Sequence, residues 1–232
     1  MLKTIVAVVA LSGTLVATSV EAGTPITIEV TCPLTNARFN FETTASYSTW
    51  GRELDGLQMG SWTFPLAIPL CPDSRFPALE NLTSEQLTAA AALVQTPGYQ
   101  AIRDEASYYV LSYVTRELAM GDAIDPAWHL LQATWQVRDQ PDLYRRYASE
   151  LTTSWEASAA AFQAESPQDW MWIESYIANV ERQAGRFEEA RARLDRLEPL
   201  AVEDTDLVER IGLTRRLIAE GNSRPFAPER DF

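Results

Sequence analysis

Residues 169–200 read DWMWIESYIANVERQAGRFEEARARLDRLEPL, and this stretch decides the fold. Trp170, Ile173, Ile177 and Val180 recur at three- and four-residue steps, the spacing of one helix face. Ala184-Gly185-Arg186-Phe187 interrupts the rhythm, which Ala190, Leu194 and Leu197 resume until Pro199 closes it. The pattern predicts two amphipathic helices joined by a tight turn. Such a hairpin cannot bury its apolar stripes alone, so further helices must stack beside it.

Upstream, the same reading extends the helical region. Thr83 and Gln86 match a capping box that opens an Ala-rich helix over 85–95, with Thr96-Pro97-Gly98 as its stop. A helix is predicted over 100–119 with apolar residues on two sides, and Gly121 ends it. Pro126 opens another to about Val137, and Pro141 opens a long one through Tyr144, Tyr147, Leu151, Trp155 and Phe162. Downstream, a narrow stripe of Leu207, Ile211, Thr214 and Ile218 predicts a solvent-facing capping helix over about 203–220. Residues 221–232 are expected to be a flexible tail. The helical domain is thus set at 81–220.

Before it, residues 23–80 read as a small β-rich module. Ile26, Ile28 and Val30 alternate with polar residues, and so do Phe39 and Phe41 after the turn-like Pro33-Leu34-Thr35-Asn36. The extended run 62–69 contains Pro65 and Pro69, which confine it to a sheet edge or an irregular strand. Met1–Ala22 has the form of an export signal: Lys3, a broken apolar stretch, and Val20-Glu21-Ala22 before Gly23. Cleavage is the expectation and retention as an anchor the alternative; no later segment is apolar enough to span a bilayer. The location expected is therefore periplasmic or secreted. In that oxidising setting the two cysteines, Cys32 and Cys71, form one disulfide, worth roughly 4 kcal/mol on the chain-entropy model.

The chain of 232 residues carries a net charge of −13, which disfavours nucleic acid as a partner. No Gly-rich phosphate loop, Gly-x-Ser-x-Gly elbow or His-Glu-x-x-His motif is present. His129, the only histidine, has no nucleophile beside it in sequence, so no catalytic residue is assigned. Carboxylates could still pair in space, which leaves a carboxylate-dependent hydrolase as an alternative reading. Asn81-Leu82-Thr83 fits an N-glycosylation acceptor but is discounted, because the export signal and the second family resemblance given below look bacterial.

Pro167–Leu200 spans about 34 residues and resembles a tetratricopeptide repeat. The resemblance rests on the turn Gly185–Ala190: Gly185 permits the turn, Phe187 packs back, and Ala190 lets two helix backbones approach. Ala178 and Glu181 depart from the first-helix pattern, where glycine and an aromatic are usual. The family implies a helical stack whose groove holds a protein partner, here guessed near Trp135, Tyr144, Trp155, Trp170 and Trp172.

A second resemblance is to an uncharacterised bacterial family with two Cys-Pro-x-Cys knuckles followed by tetratricopeptide-like helices. Cys32-Pro33-Leu34-Thr35 and Cys71-Pro72-Asp73-Ser74, each followed by Arg-Phe, match those knuckles, and 105–156 resembles the helical part. Thr35 and Ser74 stand where the second cysteines belong, so this zinc-ribbon-like module lacks a four-thiolate zinc site. Neither metal nor cofactor is expected. The fold class expected is mostly α, a tetratricopeptide-like hairpin stack behind a small disulfide-linked β module. The function expected is an exported, non-catalytic scaffold that binds a protein partner, with an accessory subunit of a larger envelope complex as the other non-enzymatic reading.

Overall fold

The computed structural model describes residues 23–227; residues 1–22, on which the expected export signal falls, and the last five residues lie outside it. Thr83 and Gln86 do form the capping box, each side chain bonding the other's backbone N–H, and α1 follows as Ser84–Leu93. Thr96-Pro97-Gly98 stops α1 and also starts a helix: Thr96 Oγ1 accepts from Tyr99 N at 3.2 Å, and α2 runs Pro97–Ile102. The helix expected over 100–119 is therefore two. Arg103–Ala106 separate α2 from α3, Ser107–Glu117. Both apolar sides nevertheless fall on α3, which is sandwiched as expected: Tyr109 enters the main core, while Val110 and Val114 join the disulfide cluster.

The remaining helices follow the expected order: α4 (Asp125–Gln136), α5 (Pro141–Glu165), α6 (Pro167–Gln183), α7 (Phe187–Leu197) and α8 (Thr205–Ala219). Ser166-Pro167 divides α5 from α6, since proline disfavours α geometry in the residue before it. At the decisive turn Gly185 has φ +79°. Arg186 N donates to Glu181 O and Gly185 N to Arg182 O, at 2.8 and 3.0 Å, the paired bonds of a Schellman motif. Consecutive helices from α3 to α8 pack against one another as antiparallel hairpins, and α8 also returns to α6. Ala190, Leu194, Leu197, Leu207, Ile211 and Ile218 are buried between the last three helices. The C-terminal helix buries more than its stripe, because Arg210 and Leu217 are buried too.

The β module consists of two separate two-stranded antiparallel sheets. β1 (Thr24–Thr31) pairs with β2 (Arg38–Ser46), and β3 (Thr49–Arg52) pairs with β4 (Gln58–Gly60). The run 62–69 forms no strand; Leu70 and Pro77 make one isolated bridge beyond it. Cys32 and Cys71 are joined by a disulfide across 39 positions, with Cα atoms 5.3 Å apart. The bond is buried among Phe76, Leu93, Val94, Tyr99 and Val110, so the β knuckles share a core with α1–α3. Burial pushes the Tyr99 phenol up to about 12. Among the described residues no helix is long and apolar enough to cross a membrane.

Candidate partner-binding surfaces

The two knuckles fold alike, residue for residue. Asn36 N donates to Cys32 O at 2.9 Å, and Arg75 N to Cys71 O at 2.8 Å. Each cysteine N–H donates to the carbonyl five residues on, Ala37 O and Phe76 O, both at 2.8 Å. Asn36 and Arg75 both take left-handed backbone, φ 57° and 60°. The hydroxyls of Thr35 and Ser74 accept from Ala37 N and Phe76 N at 3.3 and 3.2 Å. Among the described residues no group of three or more His, Cys, Asp or Glu is placed to hold a metal ion. What the knuckles do chemically is hold the disulfide and one wall of a cavity of about 570 Å³, shared with Val94, Gln95, Gln100 and Arg103.

Of the five aromatics guessed as a binding surface, Trp135, Tyr144 and Trp155 are buried in the main core with Leu131, Leu151 and Ile177. They are not available to a partner. Their helical spacing served the core, which uses large rings for the same reason that interfaces do: area buried per ordered side chain. Trp170 and Trp172 are half-buried against the last hairpin. Trp172 Nε1 donates to Asp204 at 3.2 Å, and the Arg210 guanidinium lies 5.3 Å from its ring centre. The five therefore form no common patch. Phe187 and Ala190 do pack in the last hairpin as the turn motif requires.

The surface near these helices is occupied from within the chain. The β3–β4 loop, residues 53–57, lies against α6, α8 and the residues just after α4. Arg138 donates to both Glu53 carboxylate oxygens, at 3.0 and 2.8 Å. Gln183 Nε2 donates to Asp55 Oδ2 at 2.9 Å, and Arg210 Nη2 to the Glu53 and Leu54 carbonyls at 3.1 and 2.9 Å. Gly56, at φ +89°, lies so close to Tyr176 that a Cβ there would sit 3.0 Å from the ring. Leu54 is fully buried, and Leu57 joins the main core. Leu54 N donates to Phe226 O, while Arg182 Nη1 holds the carbonyls of Asn222 and Arg224. The tail as far as Phe226 is thus tied down, not loose.

Burial drives the Asp55 carboxyl above its usual range, against the opposing pull of Gln183 and Arg138. It is a carboxyl of raised pKa, as a general acid would be, but it is fully buried beneath its own loop. A second buried cluster joins α5, α6 and α7. Arg193 donates to Glu181 at 3.1 and 3.0 Å, to Glu174 at 2.7 Å and to Glu156 at 2.9 Å; Trp155 Nε1 donates to Glu174 at 2.6 Å. Every oxygen of Glu174 and Glu181 accepts, so this arrangement clamps three helices together. Glu181, where the repeat pattern has an aromatic, is an ion-pair member here. His129 is half-buried with Nδ1 3.3 Å from Thr115 Oγ1. Burial lowers its pKa despite Asp125.

An open groove lies along the helical stack. It holds about 470 Å³ between the α4 side, with Ala123, Pro126 and Leu130, and the α5 side, with Ser149, Thr153, Ser154 and Ala157. Arg116 and Glu150 bring opposite charges to it. Sequence reading missed both the groove and the loop contacts. The signal for the loop was the Leu54-Asp55-Gly56-Leu57 turn, an Asp-Gly between two leucines. Comparison with protein-family models, with curated proteins and with solved structures finds no match.

Proposed function

We propose that this chain is an exported, non-catalytic scaffold that binds a protein partner along its helical stack, which we read as tetratricopeptide-like. The observation that carries the reading is the groove between α4 and α5. Small side chains floor it, so a partner's backbone can approach closely, and half-buried Pro126 gives apolar contact. Arg116 and Glu150 offer one charge of each sign to orient a bound segment. The fit is to a short peptide segment with an apolar anchor flanked by polar residues.

The test is capture from the native source with the wild type, with Ala157→Trp, and with Gln163→Trp as control. Ala157 and Gln163 are both exposed, so both variants should fold. A protein retained by the wild type and the control, but lost by Ala157→Trp, supports the groove. An identical set of proteins on all three overturns it.

A further inference from the structure

The β1–β2 ribbon carries a face and an edge that nothing in the described chain completes. Ile26 faces Thr43, Ile28 faces Phe41 and Val30 faces Phe39, so these six side chains share one face. Phe39 packs on the disulfide cluster, but Ile26 and Ile28 stay 37 and 40% exposed. Two-stranded ribbons are marginal without a further layer or strand. Pro25 has no N–H, so its pair with Thr44 is a non-hydrogen-bonded one. Cys32 N bonds Ala37 O, which continues the ladder through the even-numbered residues of β1. The N–H and C=O groups of Thr27, Glu29 and Thr31 therefore point away from β2. Among the described residues no third strand pairs with β1. Such an edge, with one charged side chain in eight residues, invites pairing.

We propose that the occupant is a second copy of this chain, paired antiparallel through β1 with a two-fold axis at Ile28. In that register Thr27 and Glu29 of one copy exchange hydrogen bonds with Glu29 and Thr27 of the other. Ile28 meets Ile28, and Ile26 meets Val30, so the apolar face runs unbroken across four strands. Shifting the axis to Glu29 would oppose two carboxylates, and shifting it to Thr27 would move Ile28 off the centre. Charge argues for this edge as well. Residues 24–46 carry only Glu29, Arg38 and Glu42, net −1, within a chain of net charge −13. Two copies repel each other least here. The pairing does not depend on the α4–α5 groove.

Sedimentation equilibrium of the full chain should show its mass rising toward twice the monomer value with concentration. Ile28→Lys places two ammonium groups on the axis and should cut association by about tenfold or more. Ile28→Cys should cross-link in trans under mild oxidation, because a non-hydrogen-bonded antiparallel pair suits a disulfide. Glu29→Cys, facing Thr27, should cross-link far less. Circular dichroism checks that each variant folds. A chain that stays monomeric at every concentration overturns the proposal and leaves the edge to another protein's strand. So does an Ile28→Lys dimer as tight as the wild type, or Glu29→Cys cross-linking as readily as Ile28→Cys.

Discussion

Arg193→Met is the sharpest perturbation of this fold. Arg193 is 3% exposed and is the cation shared by Glu174 and Glu181, which are buried at 4 and 1%. Removing one partner of a buried ion pair typically costs about 3–5 kcal/mol, because the opposite charge is stranded. Glu174 loses its ion-pair partner and Glu181 keeps only Arg186, 4.0 Å away; Glu156, half-exposed, adds little. A loss of about 4 kcal/mol should move the urea midpoint down by roughly 2 M, taking m as about 2 kcal/mol per M. The melting temperature should fall by about 8–16 °C. Far-UV circular dichroism during urea titration is the assay. The companion variant adds Glu174→Gln, which keeps the acceptor for Trp155, and Glu181→Leu, which removes the second charge. If charge stranding is the cause, the triple variant recovers about half the loss or more. A midpoint shift under about 0.5 M, or a triple variant no better than the single one, refutes the reasoning.

Gly185→Ala should cost about 1 kcal/mol, from left-handed backbone alone, since an added methyl would meet nothing within 4 Å; a thermal melt lower by about 2–4 °C checks it. Thr35→Cys with Ser74→Cys should give a reduced chain that binds one zinc ion through four thiolates, read by cobalt substitution spectra; no binding under reduction counts against retained knuckle geometry. Asp55 makes stability fall as pH rises. Its folded pKa lies above the unfolded value of about 3.8, so the native state binds the proton more tightly and ionisation disfavours folding across that window. Asp55→Asn should therefore flatten the pH dependence of the urea midpoint above about pH 4, and an unchanged slope would show that Asp55 does not set it.

What the sequence made legible was whatever depends on neighbours three to five residues away. Helical periodicity, the Thr83 capping box, the Gly185 turn and the proline starts of α4 and α5 are local signals, and the elements they mark are present. The α2–α3 break was illegible because Arg103–Ala106 contain neither glycine nor proline to announce it. The β3–β4 pair was missed because its strands are four and three residues long, too short for alternation to register. The aromatic surface was misplaced for a different reason. Trp135, Tyr144 and Trp155 have the same spacing whether they face a core or a partner, and only the packing of α4, α5 and α6 decides which.

The β3–β4 loop shows how that ambiguity is resolved in this chain. Glu53 and Asp55 lie more than 80 positions from Arg138 and more than 120 from Gln183, so no local pattern could pair them. Yet their contacts decide which helical surfaces are free. The flank of α6 and α8 is covered by Leu54, Gly56 and the segment ending at Phe226, while the α4–α5 flank has no such cover among the described residues. Filling one flank with the chain's own loop makes it rigid there, because a buried carboxyl, two arginines and a glycine contact fix the β3–β4 loop against the stack. The open flank is then presented at a fixed angle to the β1 edge. Pairing two copies through β1 would place two such grooves on one rigid body, so a partner with two matching segments would bind the pair more tightly than either copy alone.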